Sequence, residues 1–226
     1  MRLRLRQFTP RTGPHEHRVV QPWTPLRHTS LRDPEASLGM LMGDHDGLNR
    51  LAGLFSFAAY SRHTIVHVPL REGPLPPHVG CDDLVDLVLV HHSAGLRPSK
   101  WPELRRRLTH GTPLTVRTDE ARTARDAEAW QRRRDRPDTR DWLRHGTHAR
   151  TFFLIGSRDV FASAAMAFSY AAGWGPRQKG VVKGKAAFMT SISCELQEAP
   201  DTWRSPEVVI GFQPYPPYAH FKRPGR

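Results

Sequence analysis

Apolar positions along the chain fall into alternating helical and strand-like patterns. Leu48, Leu51, Leu54, Phe55 and Ala58 recur at helical spacing behind Gly43-Asp44-His45-Asp46-Gly47, which predicts a helix of about four turns capped by Asp46. Residues 63–70 set Ile65, His67 and Val68 in a β-branched run that Pro69 helps to stop, and so read as a strand. Residues 84–90 are nearly continuous in aliphatics, as in a strand buried on both faces of a parallel sheet.

Ser99, Trp101, Leu104 and Leu108 then mark a short helix capped by Ser99 and closed by Gly111, followed by a short strand at 114–116. Residues 119–136 read as a polar surface helix with Trp130 its only large apolar residue, and Trp142 and Leu143 as part of another short helix. Residues 151–155 form a second buried-type strand, turned by Gly156-Ser157 into a helix over 158–170 that is apolar around most of its circumference and must be buried. Two strands, 186–195 and 207–212, close the pattern.

Strands alternating with helices predict an α/β fold: a mostly parallel, Rossmann-like sheet flanked by helices, with an antiparallel strand pair at the C-terminal end. The expected organisation is one domain over residues 38–213. A basic, Pro- and Arg-rich arm over 1–37 would lie on it, and a Pro- and Tyr-rich basic tail would run from 214 to 226. A Pro-Gly linker over 73–78 separates the first strand from the second.

Charge changes this picture in one respect. The net charge of +12 is uneven: +6 over residues 1–32, −5 over 33–95, +7 over 96–150 and +4 over 151–226. Such a surface attracts anions, but only five of the 34 cations are lysines, and an arginine excess with many Ala, Pro and Gly also follows from GC-rich coding. Cys81 and Cys194 are too few and too distant for a disulfide framework, which suggests a reducing, cytoplasmic setting. No apolar run reaches the length of a signal peptide or a membrane span.

Candidate chemistry concentrates where strands end, because ligands of open parallel sheets bind beyond the carboxyl ends of the strands. His91-His92-Ser93-Ala94-Gly95 follows the most hydrophobic strand. His91 or His92 could act as acid or base there, with Ser93 as donor or nucleophile, and Gly95, Arg97 and Lys100 toward an anionic ligand. Gly156-Ser157-Arg158-Asp159 opens a helix whose free N–H groups can hold an anion. Gly156 would admit a phosphate and Arg158 would add charge, although ordinary capping accounts for the same residues. The glycine-rich stretch 173–185 carries Arg177, Lys179, Lys183 and Lys185, as a loop closing over a phosphorylated ligand would, or as a plain solvated connection.

Other motifs exclude more than they suggest. Glycines do not fall in the Gly-x-Gly-x-x-Gly spacing and no Gly-Lys-Ser/Thr phosphate loop occurs, which argues against conventional NAD chemistry and ATPase activity. The absence of a Gly-x-Ser-x-Gly elbow argues against an ordinary serine hydrolase. His15-Glu16-His17 and Asp44-His45-Asp46 have metal-ligand types at alternate positions but no recognised spacing, and read as a solvated arm and a helix cap. Arginines 105–107 and 132–134 could follow a nucleic-acid backbone, yet Glu128 one turn before Arg132 and Asp126 one turn after Arg122 suggest a salt-bridged exposed helix. The aromatic tail over 212–221 suits partner docking or folding back over the core.

The expectation is therefore an α/β protein that binds a phosphate-bearing or otherwise anionic small molecule, nucleotide-like, between the 91–95 and 156–159 turns, with His as acid or base. The alternative is a non-catalytic basic protein that binds nucleic acid or an acidic protein partner.

Overall fold

A computed structural model describes residues 1–12, 15–72, 83–136, 141–197 and 207–215. In chain order the elements begin with β1 (Arg2–Phe8), a small hairpin of β2 (Arg11–Thr12) and β3 (His15–Glu16), β4 (Arg18–Pro22), β5 (Ser30–Leu31) and β6 (Gly39–Gly43). Then come α1 (His45–Tyr60), β7 (Thr64–Val68), β8 (Asp86–His91), α2 (Trp101–Arg106), β9 (Thr112–Arg117), α3 (Glu120–Arg134), β10 (Arg144–His148) and β11 (Thr151–Gly156). The remainder is α4 (Arg158–Trp174), α5 (Lys179–Val182), β12 (Ala187–Ser191) and β13 (Val208–Phe212).

Seven strands form the main sheet in the order β10-β11-β8-β7-β4-β1-β9. The fold is α/β, but the sheet is mixed: only β11–β8 and β4–β7 run parallel, and the other four pairings are antiparallel. The mostly parallel sheet read from the apolar runs is thereby corrected. A strand buried on both faces looks the same in sequence whichever way its neighbours run, because burial and not direction selects its aliphatic residues. The expected C-terminal antiparallel pair is present as β12–β13, and β13 also pairs in parallel with β6 to build a second, four-stranded sheet, β12-β13-β6-β5.

The largest difference concerns the first 37 residues. They are extended, but they do not lie on the domain: β1 and β4 are interior strands of the main sheet, and β5 is an edge strand of the second. Leu3 and Leu5 of β1 and Val20 of β4 belong to the larger core, packed with α1 and α4. The strict alternation of Arg and Leu in residues 2–6 is the signature of a strand with one wet face. Trp203, the 73–78 linker and the tail beyond Tyr215 lie outside the described residues, while Tyr215 itself stacks on His28 with ring centroids 3.3 Å apart.

Local details differ in instructive ways. Asp44, not Asp46, caps α1 by accepting a hydrogen bond from the Gly47 N–H at 2.8 Å, since its extended backbone turns the carboxylate back over the first turn. Ser99 caps nothing and belongs to a 3-10 turn before α2. Trp142 and Leu143 precede strand β10, where the Leu143 N–H bonds to the Glu195 carbonyl and forms no helix. Although α3 is mostly exposed, Thr123, Ala127 and Trp130 make a buried stripe at 4 and 3 residue intervals, and the Trp130 Nε1–H donates to the Asp141 carbonyl at 2.9 Å.

Two apolar cores sandwich the main sheet. The larger lies under α1, α3 and α4 and continues to the second sheet; the smaller packs Trp101 and Leu104 of α2 against Val88, Val90, Ile65 and Phe153. Beneath α2 sits Asp86, the first residue of β8, with a side chain only 2% exposed. Its Oδ1 accepts the N–H groups of Leu70 and Arg71 at 3.0 and 3.2 Å. Its Oδ2 faces the guanidinium groups of Arg71 and Arg105 at 3.4 and 3.6 Å. His67 Nε2 is 3.4 Å from Oδ2, near enough for charge interaction but outside hydrogen-bond geometry. Burial pushes this carboxyl up, and His67, the Arg71 N–H and the Arg71 guanidinium outweigh it, so that the net shift is downward.

Asp86→Ala is expected to destabilise the fold by about 3–5 kcal/mol in urea unfolding, because it leaves the Leu70 and Arg71 N–H donors and the Arg105 guanidinium without their partner and Arg71 with the exposed Glu72 alone. Because the folded-state pKa is lowered, the wild-type contribution is present above the unfolded carboxylate range near pH 4 and is lost as pH falls below it. The gap between wild type and variant should therefore shrink in acid.

Candidate functional site

The parallel pair β8–β11 aligns Val90 with Ile155 and His91 with Gly156, so the chain leaves both strands at the same edge of the sheet. The two turns that follow face each other across an open cavity of about 360 Å³. It is lined by His91, His92, Ser93, Ser157, Arg158 and Asp159, together with Arg62 and Asp141. The antiparallel strand β7 pairs Ile65 with Val90, which is why Arg62, just before β7, reaches the same edge. Asp141 arrives from the segment between α3 and β10.

His91 is buried, whereas His92 and Ser93 are exposed. The rings of His91 and His92 lie 4.3 Å apart between centroids, tilted by 36°. His91 Nδ1 is 2.8 Å from Ser93 Oγ and 3.3 Å from the Ser93 backbone N, and Ser93 Oγ–H donates to the Arg62 carbonyl at 2.9 Å. These contacts serve either neutral tautomer: Nδ1 accepts from the Ser93 N–H, or Nδ1–H donates to Ser93 Oγ. A proton can thus sit on either ring nitrogen without the ring moving, an arrangement suited to proton transfer. Burial lowers the His91 pKa, and His92, Arg62 and His63 lower it further against a small opposing effect of Asp141, so the ring is a neutral base at pH 7.

On the facing side, Ser157 occupies the N-cap position of the 17-residue helix α4 with extended backbone, but its side chain makes no capping bond, and its buried Oγ has no partner among the described residues. The first-turn N–H groups of a helix have no partner within it, so an unused hydroxyl and unused N–H groups share this end of the cavity. Asp159 does not complete that role. It is held by Arg158 Nε and Arg133 NH2, each at 2.5 Å, and Arg133 also reaches Asp141 at 3.3 Å. Burial pushes Asp159 up, and the two guanidinium groups more than offset this, so its pKa is lowered. Arg158 further reaches Asp126 at 3.5 Å, and Asp126 accepts the Tyr60 hydroxyl at 2.8 Å. Burial and that bond push Tyr60 up to about 12.

No family model matches this chain. No curated protein or solved structure matches it either. What it does has to be read from its own geometry.

Of the residues expected at the site, six line the cavity: His91, His92, Ser93, Ser157, Arg158 and Asp159. Gly156 is next to it, but its missing side chain answers to packing, since a Cβ there would come within 2.6 Å of Leu143 and 2.9 Å of Val160. Gly95 adopts φ +62° to end the 3-10 turn after β8, a conformation that favours glycine, and Arg97 and Lys100 are exposed beyond that turn; none of the three lines the cavity. Arg177 and Lys179 lie past the other end of α4, about 25 Å away along the helix, and cannot close over it. Arg177 instead stacks over Trp174 at 4.9 Å.

Arg62 and Asp141 escaped the sequence reading, because neither stands in a motif and each is brought in by strand pairing alone. The paired triplets at the other metal-type motifs are otherwise engaged: Glu16 bonds Arg11 at 3.0 Å, Asp44 caps α1, and no group of three or more potential metal ligands occurs among the described residues.

Two outcomes test this geometry. Ser157→Ala should change stability by less than the roughly 1 kcal/mol usual for an N-cap serine, because no capping bond is lost; urea midpoints measure it. For His91, the folded pKa lies below the unfolded value near 6.5, so its stability contribution is complete above that pH and is lost as pH falls toward the folded value. Wild type should lose more stability between pH 7.5 and 5.5 than His91→Asn.

Proposed function

We propose that the cleft between the 91–93 and 157–159 turns binds a small anionic molecule, with its phosphate or carboxylate at the N-terminus of α4 and His91 as the proton acceptor. The observation that carries this reading is the convergence of a neutral, tautomer-ready histidine with an unpartnered Ser157 hydroxyl in one cavity. An anion at that end would accept from Ser157 Oγ and from free N–H groups of α4, and the helix dipole favours it there.

The charges around the cleft support an anion of low charge. Asp141 and Asp159 are offset by Arg133 and Arg158, which leaves Arg62, with no ion pair among the described residues, as the surplus cation. A cavity of about 360 Å³ stands at the small end of ligand sites and fits a sugar phosphate or a mononucleotide better than a dinucleotide. The chemistry such a cleft can supply is general acid and base catalysis at an atom next to the bound anion: His91 takes the proton, and its Nδ1 is steadied by Ser93, whose hydroxyl is fixed by the Arg62 carbonyl.

The test is a thermal-shift screen with inorganic phosphate, ribose 5-phosphate and AMP at low and moderate salt, repeated on Arg62→Ala, Ser157→Ala and His91→Asn. Binding to the folded state raises Tm through mass action. The expected result is a salt-resistant shift with one phosphate compound that Arg62→Ala and Ser157→Ala reduce, while His91→Asn, which keeps the Arg62 and Ser157 anion contacts, still binds it. A shift with equal size in all variants, or none with any compound, overturns the reading.

A further inference from the structure

Strand β1 has a second face. Leu3 and Leu5 enter the larger core, whereas Arg2, Arg4 and Arg6 are exposed on the opposite side of the main sheet. Phe8, the next residue on that side, lies in the smaller core with α2, so the covered part of this face ends there. On one flank β9 pairs Arg117 with Arg2 and Thr115 with Arg4. On the other flank the Trp23 N–H bonds to the Arg4 carbonyl at 2.9 Å, which continues the row past β4.

Arg2, Arg4, Arg6 and Arg117 form no ion pair among the described residues. Trp23 is 41% exposed, with the Arg6 guanidinium 4.9 Å from its ring centroid.

Same-face side chains of a strand stand about 6.5–7 Å apart, so Arg2, Arg4 and Arg6 form a regular cationic row at a pitch suited to the successive phosphates of an extended chain. An exposed indole beside such a row offers what a polyanion alone does not need: a surface on which a base can stack. We propose that this face binds single-stranded nucleic acid, with phosphates on Arg2, Arg4, Arg6 and Arg117 and a base on Trp23. A duplex keeps its bases enclosed and a flat sheet face enters neither groove; an acidic peptide would leave Trp23 without a role. The site is separate from the histidine cleft and does not depend on it.

The experiment is fluorescence polarisation of fluorescein-labelled dT15 and rU15 with the full chain from 50 to 200 mM salt. Unlabelled dT15, a 15-base-pair duplex and polyglutamate serve as competitors. Four phosphate contacts predict a slope of log K against log salt of about −2.8, and Arg4→Gln/Arg6→Gln should bring it to about −1.4. Trp23→Ala should weaken binding by roughly tenfold with little change in slope, and Trp23→Phe should restore most of it. Arg125→Gln/Arg132→Gln on α3 removes the same charge and should leave binding unchanged, which separates this face from general attraction to a basic protein. Circular dichroism and Tm confirm that each exposed-residue variant is folded. The proposal is overturned if duplex or polyglutamate competes as well as dT15, if the α3 pair weakens binding as much as the β1 pair, or if Trp23→Ala and the β1 pair leave binding as it was.

Discussion

The parallel pairing of β8 with β11 is the constraint from which the cleft follows. Because His91 and Gly156 are register partners, two turns far apart in sequence must leave the sheet side by side, and a shift of one residue would turn the buried His91 side chain to the other face. The register is fixed at the opposite end by Asp86, whose N–H bonds to the Arg150 carbonyl at 3.0 Å and whose carboxylate gathers the 70–71 backbone and two arginines. A buried carboxylate of this kind does little for net stability compared with a well-packed apolar residue, but it tolerates few alternative arrangements, because every alternative would leave a buried charge unpaired. The structural charge at the start of β8 and the chemical groups at its end are thus two consequences of one strand alignment.

The arginine excess divides in the same way between structure and surface. Arg133 and Arg158 clamp Asp159, and Arg71 and Arg105 surround Asp86. Arg122, Arg134 and Arg177 lie over the rings of Tyr60, Trp130 and Trp174. A planar guanidinium can satisfy a carboxylate and stack on a ring, which lets this chain use arginine where a lysine would serve less well. The abundance of arginine by itself does not say where each one acts. The arginines of β1 and β9 form no ion pair among the described residues, and Arg2, Arg4, Arg6 and Arg117 share one sheet face, where Arg6 lies over the exposed Trp23 ring.

Segments whose burial is uniform were legible from sequence alone. The aliphatic run of β8, the apolar run of β11 and the helix α4, buried through its first two turns but with Tyr170 and Trp174 about half exposed near its end, start close to their expected bounds, because the residues that fill a core carry an apolar signal of their own. Half-buried elements were harder. The arginine-leucine alternation of β1 was outweighed by the charge and proline content around it, so that a strand next to the edge of the main sheet read as an arm. The segment of α3 read as a polar surface helix whose only large apolar residue is Trp130, and that one residue anchors the helix by packing and by its bond to the Asp141 carbonyl. In both cases a few buried side chains outweighed the average polarity of the segment, an energetic fact that composition obscures.

Sequence by itself determined the α/β class, the two buried strands and the helix after the second, and six of the residues that line the cleft, because turn residues at the ends of hydrophobic strands carry a local signal. Strand direction, the pairing of β7 with β8, the inclusion of residues 2–8 and 18–22 in the sheet, and the arrival of Arg62 and Asp141 were decided by tertiary structure. So was the removal of Arg177 and Lys179 to the far end of α4. The physical reason is that a side chain's chemistry is set by its type but its partners are set by register, and register is a property of strands that meet only when the chain has folded.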